Sequence, residues 1–355
     1  MAKWILIITF VIFSIEINAK ENVVSPITTQ IDNINIKVDP RIEALAVIQY
    51  LDDYFLISQY EFEYKRLVDS YFSSYKNHKA VALFSELKNS GYKFSLPPET
   101  MLYLNYDFTI NQELDLFDSN LPKDFKIEKL LEFFRELNYF VKDSNFINFF
   151  NSNKKLYEEL ITQVARELEG QSDLGLLEQF YGKTNESYNI VLAPLFHHGG
   201  FGPQTKGENS YNLFSIIGPV GSKASRPSFG DVERLAELVN HEFSHSFIAD
   251  IFKEYGKEVR EYHELLIPIK DVMAKQGYST WEFVLNEHVV RAVTTTVSYT
   301  KSKQLGDENL KYQKDNHFIY IDLVLESFER YKSERDKYPT FDSYFPVLLG
   351  SLPEP

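Results

Sequence analysis

The chain of 355 residues contains no cysteine. That absence excludes a thiol nucleophile, a cysteine-ligated zinc, a disulfide framework and a lipid-modified N-terminal cysteine. Positive charge is scarce. Lys plus Arg number 37 against 51 Asp plus Glu, a formal net charge of −14. Nucleic acid and anionic membrane surfaces repel such a chain on average, so neither is an expected partner. Internal repeats and low-complexity tracts are missing, and so are long apolar runs beyond the first segment. What is there has a globular balance, 44% hydrophobic and 25% charged, against wholesale disorder. Most of the 29 Phe and 23 Tyr are expected in the core, and the length suits one large domain or two ordinary ones.

The first segment reads as an address. Lys3 precedes a nearly all-apolar run over residues 4–15, followed by Glu16-Ile17-Asn18-Ala19 with a small residue at the cleavage position. This three-part pattern predicts a secretory signal peptide over 1–19. The run is short of the roughly 18–20 residues that cross a bilayer. The expected mature protein is exported, periplasmic or extracellular, with no stable membrane insertion after cleavage. A chain without cysteine suits an oxidising compartment.

Along the mature chain the pattern predicts a mainly helical α+β protein. Ile34-Asn35-Ile36-Lys37-Val38 alternates as a strand and stops at Asp39-Pro40. Ile42, Leu45, Ile48, Leu51 and Phe55 then mark one face of a helix over 41–58. Further helical patterns cover about 60–75, 78–90, 127–141 and 154–169. This region, 20–180, reads as a helical scaffold or a cap on the C-terminal half. The texture changes near 171, and residues 181–355 read as a second domain with a small antiparallel sheet. Tyr188–Leu195 and Tyr211–Ile217 are its predicted strands, joined like a long hairpin through the Gly-rich loop at His197-His198-Gly199-Gly200. From Asp231 onward the chain is expected to be helical. Asn185-Glu186-Ser187 is a glycosylation sequon, meaningful only in a eukaryotic secretory pathway.

On the helix that Asp231 caps lies His241-Glu242-Phe243-Ser244-His245. Four helical residues turn the chain by about 400°, so the two imidazoles stand within about 40° of each other, one turn apart. Both reach one metal ion, and Glu242 stands beside that ion, placed to take a proton from its water. A catalytic zinc takes three protein ligands and keeps one position open. The scheme with Gly three and His six residues after the second His fails, because those positions are Ile248 and Ile251. Glu254, Glu258, Glu261 and Glu264 form a solvated charged face. Glu287 sits in an otherwise apolar helix and needs a cationic partner, either the metal or Arg291 four residues on. Arg291 then orients Glu287 or the substrate. Glu282 and His288 are the fallback ligands. His197 and His198 line the cleft, bind a second metal, or are exposed loop.

His241-Glu242-x-x-His245 followed by Asn286-Glu287 on a second helix resembles the gluzincin branch of the zincin metallopeptidases, whose member thermolysin also has Asn-Glu at its third ligand. The chain is also similar to a largely uncharacterised group of exported bacterial proteins with a His-Glu-Phe-Ser-His helix and a later Glu-x-x-x-Arg-Ala helix, here Glu287 to Ala292. The resemblance implies a zincin-like catalytic domain with one Zn2+ on His241, His245 and Glu287. It implies a peptidase acting on a peptide or protein substrate, with Glu242 as general base. Gluzincins use a Tyr or His beyond the third ligand to stabilise the oxyanion, which points to His317 and Tyr320, with Tyr299 behind them. The substrate is expected along a strand at the cleft edge, with 188–195 and 211–217 as candidates. The competing expectations are a non-catalytic zincin-fold binding or scaffold protein at the cell surface, and hydrolysis of a non-peptide amide.

Overall fold

A computed structural model of the chain describes residues 23–122 and 125–354. The segment 1–19, expected to be a signal peptide, lies outside the described residues. The protein is mainly helical, with a separate two-stranded hairpin (Gly221–Lys223 and Arg226–Ser228) and one six-stranded mixed sheet. The strands of the sheet are β1 (Ile27–Ile31), β2 (Ile34–Val38), β3 (Ser187–Leu192), β4 (Gly200–Phe201), β5 (Gln204–Lys206) and β6 (Tyr211–Ile217). Their order is β1-β2-β3-β6-β4, and β5 also pairs with β6. The sheet thus draws strands from both sides of position 181.

The expected antiparallel hairpin of 188–195 and 211–217 is corrected. β3 and β6 are parallel neighbours, with Ser187 opposite Asn212 and Leu192 opposite Ile217, and β2 runs parallel on the other side of β3. Parallel strands need a crossover of about a dozen residues or more. The segment 193–210 is long enough, and it folds β4 and β5 back antiparallel onto β6. β1 was not anticipated. It pairs antiparallel with β2 through a two-residue turn in which Asp32 adopts φ +46°.

Asp39 ends β2 and caps the next helix, Pro40–Leu51, by accepting the Arg41 N–H at 3.0 Å. Nearly every residue of that helix is buried, which is why its apolar residues run all the way round. It ends at Leu51, short of the expected 58, where Asp53 turns left-handed at φ +53°. Phe55 lies beyond the helix and is exposed. The helices Glu63–Phe72, Lys79–Asn89, Ile127–Asp143 and Lys154–Leu168 agree with the sequence pattern. The last packs on β1 and β2. The abundance of Phe is used in interlocking clusters such as Phe72, Phe140, Phe146 and Phe149.

Glu43 is fully buried on the helix Pro40–Leu51. Tyr64 donates to its Oε2, Tyr157 lies 2.7 Å from the Tyr64 hydroxyl, and Oε1 has no partner. Burial pushes this carboxyl up to about 8. Because the folded state holds the proton more tightly, the stability tied to it is complete below the unfolded value of about 4.5 and is lost as pH rises to about 8. Glu43→Gln removes that dependence. Measured by urea unfolding at pH 5 and pH 8.5, the variant should lose about 2–5 kcal/mol less than wild type across this interval. Equal losses in the two proteins would show that Glu43 is ionised in its buried position.

Candidate metal centre

Two helices and one sheet edge build the site. The helix Val232–Glu254 starts at Asp231, whose Oδ1 accepts the Arg234 N–H at 3.0 Å. Its apolar side (Leu235, Leu238, Val239, Phe243, Phe247 and Ile251) is buried. Phe243 meets Tyr188 of β3, and Phe247 stacks on Tyr181 at 4.5 Å. These contacts fix the rotation of the helix, which leaves His241 and His245 on the opposite flank, with side chains 16% and 22% exposed. The helix Trp281–Lys301, capped by Thr280, packs against it and supplies Glu287, only 9% exposed.

The three groups converge. His241 Nε2 and His245 Nε2 are 3.1 Å apart. Glu287 Oε1 lies 3.3 Å from His245 Nε2, and Oε2 lies 3.6 Å from His241 Nε2. A tetrahedral ion with bonds of about 2.0–2.1 Å holds its ligand atoms roughly 3.3–3.5 Å apart; each imidazole nitrogen stands at about that spacing from a different Glu287 oxygen, and one ligand atom from each residue lies within 4.8 Å of the other two. The donor chemistry also fits. His245 Nδ1–H donates to Asn286 Oδ1 at 2.7 Å, which turns the Nε2 lone pair toward the triangle. Burial pushes His241 down to about 4 despite the nearby Glu287, so this imidazole is neutral at pH 7. Burial opposes a charge on His245, yet Glu287 outweighs it and raises that ring. Two imidazole nitrogens facing each other beside a carboxylate form a set that a divalent cation satisfies. His241, His245 and Glu287 thus could hold a metal ion.

The ion-pair and ligand roles of Glu287 coexist. Arg291 Nε donates to its Oε2 at 2.9 Å. Burial disfavours the Glu287 charge, but Arg291 and then His241 hold its carboxyl well below the usual range. Arg291 is itself fixed, with Nη1 on Gln313 Oε1 at 3.0 Å and its guanidinium over the Phe318 ring.

Glu242 is buried beneath β4. A Cβ on Gly200 would lie 2.8 Å from the Glu242 Cγ, and one on Gly202 would lie 1.9 Å from the Glu242 carbonyl oxygen. Only glycine permits this approach of strand to helix. Ser246 clamps it by donating to the carbonyls of Gly202 and Pro203, both at 2.9 Å. Burial pushes the Glu242 carboxyl up to about 7.

The remaining sequence candidates lie elsewhere. His288 is a core residue, with Nδ1–H on the Val284 carbonyl at 2.7 Å and Nε2 facing the Tyr320 amide. Glu282 turns toward Arg260. Tyr320 spends its hydroxyl proton on the Leu265 carbonyl at 2.8 Å, and Tyr299 donates to Asp307. His317 is an exposed turn residue at φ +65°, with no hydrogen bond to the triad. His198 is exposed. His197 donates from Nδ1 to the His198 carbonyl, and its Nε2 is buried without a partner. β3 and β6 are inner strands, so neither offers a free edge to a substrate, whereas β4 stands at the end of the strand order.

One residue escaped the sequence reading. Tyr278 accepts from Arg291 Nη2 at 3.4 Å, so a single guanidinium separates its hydroxyl from Glu287. Among the described residues its own proton goes to no acceptor. Burial, then the Glu287 charge, raises the phenol, which therefore keeps that proton at neutral pH. Its place before the third ligand, rather than after it, hid it from a search by chain order.

The family described as a domain of unknown function (DUF4932) matches residues 34–350, and the chain belongs to that family. No curated protein and no solved structure matches it.

Proposed function

We propose, for this member of a family without an assigned activity, a zinc-dependent peptidase that is exported and acts on peptide or protein substrates. The observation that carries the reading is the triangle of His241, His245 and Glu287 at separations of 3.1–3.6 Å, with the buried carboxyl of Glu242 beside it under a free strand edge. A bound zinc ion supplies a Lewis acid that polarises a carbonyl and makes water nucleophilic near pH 7. The residues of the chain do the rest. Asn286 and Arg291 hold His245 and Glu287 in register. Glu242 takes the proton of the attacking water and returns it to the departing amine. Tyr278 donates a hydrogen bond from its hydroxyl to the carbonyl oxygen as charge develops there. The free edge of β4 accepts an extended peptide as an added strand, presenting the scissile bond above Glu242.

The snug seat of Glu242 under Gly200 favours a catalytic over a merely structural site, since a structural ion needs no acid held beside it. The test is elemental analysis of purified protein together with digestion of a peptide library. The expected result is one zinc per chain, lost in His241→Ala, and library cleavage by wild type alone. Zinc bound at one equivalent with no peptide cut would leave a metal-bound scaffold, or a hydrolase of another amide.

A further inference from the structure

We infer that Phe55 and Phe94 form an apolar subsite that takes a large hydrophobic side chain of the substrate, an inference that rests on the peptidase reading above. The two rings meet edge to face at 5.8 Å, yet they remain 55% and 45% exposed. Such a pair on the surface of a helical protein has to be held there, and it is. Tyr54, itself buried, packs on Phe55 at 4.7 Å and accepts the Phe94 N–H at 3.0 Å. That hydrogen bond secures Phe94 at φ +58°, a left-handed conformation that glycine or asparagine adopts readily and a bulky aromatic residue rarely does.

The location ties the pair to the centre from two sides. Directly after Phe55, the Leu56 carbonyl accepts the His197 N–H at 2.9 Å, and Ile57 bridges to Phe196. This anchors Phe55 to the loop that leads into β4. On the other side, a Cβ built on Gly277 would lie 3.9 Å from the Phe94 ring. Gly277 precedes Tyr278, which meets Arg291 and through it Glu287. The aromatic pair therefore lies between the loop leading into β4, whose Gly200 abuts Glu242, and the segment of Tyr278, which reaches Glu287 through Arg291. An extended peptide on β4 carries alternate side chains to one side, and an apolar one reaching this pair removes both rings from water. The helical N-terminal region thereby gains a role as the part that selects substrates.

The test compares zinc-loaded wild type with Phe94→Gly. Glycine suits φ +58°, so Tm should hold or rise, separating loss of the ring from loss of the fold. On a library of blocked octapeptides, wild type should place Phe, Leu or Tyr at one fixed distance from the cut bond, and Phe94→Gly should cut those peptides about tenfold more slowly. Calorimetry on zinc-loaded Glu242→Gln, with blocked hexapeptides carrying one Phe or one Ser in a Gly/Thr background, should show tighter binding of the Phe peptide. Adding Phe94→Gly should erase that difference. Cleavage with a preference indifferent to Phe94 overturns the subsite alone, as does a wild-type dimer in sedimentation that Phe94→Gly dissolves. If nothing is cut yet the Phe94-dependent affinity persists, the hydrolytic reading fails and the subsite stands as a binding groove.

Discussion

Glu242→Gln protein should carry its full complement of zinc, bind peptides as wild type does, and turn over at least about 10²–10⁴-fold more slowly, the usual contribution of a general base. The substitution is isosteric, so it fits the same slot against Gly200. It leaves His241, His245 and Glu287 untouched. What it removes is the acceptor for the water proton. The measurement is initial rate on any peptide that wild type cleaves, with zinc content determined on the same samples. A variant that keeps wild-type turnover would mean that another base, or a contaminating enzyme, does the work.

The second large effect concerns Glu287. Glu287→Ala should destabilise the metal-free protein by about 3–5 kcal/mol, because it strands a buried guanidinium without its counter-charge. The variant should also lose zinc. His241→Ala separates the two effects. It removes a neutral imidazole that burial already keeps uncharged, so the metal-free protein should keep its stability to within about 1 kcal/mol while zinc binding is lost. In wild type, free zinc at about 1,000 times Kd adds roughly 4 kcal/mol, and neither variant should gain that increment. Urea unfolding with and without zinc reads all of these values. If Glu287→Ala unfolds like wild type without metal, Arg291 has another partner; if the variant keeps its zinc, the ligand assignment fails.

What could be read from the sequence was whatever depends on local geometry. His241 and His245 are one helical turn apart wherever the helix goes, and Asp231, just before that helix, caps it by accepting the N–H three residues on. Glu287 stood out as a carboxyl in an apolar stretch. Strand direction was not legible, since β3 and β6 look alike whether they run parallel or antiparallel; only the path of 193–210 decides. Gly200 and Gly202 read as a flexible loop, because nothing near them in the chain announces that Glu242 lies against them. Tyr278 and Phe94 were invisible for the same reason, and Phe55 was read as one more residue of a helix face because its spacing continues the pattern past the point where the helix ends. His317 and Tyr320 were chosen by their position after the third ligand, and position along a chain is not position in space. The Phe318 between them does reach the site, as the surface on which the Arg291 guanidinium lies.

The placement of β2 beside β3 has a practical outcome for anyone dissecting the molecule. A recombinant fragment beginning near 181 would strip β3 of its parallel partner, leaving a row of unanswered amides and carbonyls next to Ile190 and Val191, both wholly buried in the intact protein. Such a bared flank invites self-association. The C-terminal half is therefore not a portable module, and any minimal version must bring Ile34–Val38 with it.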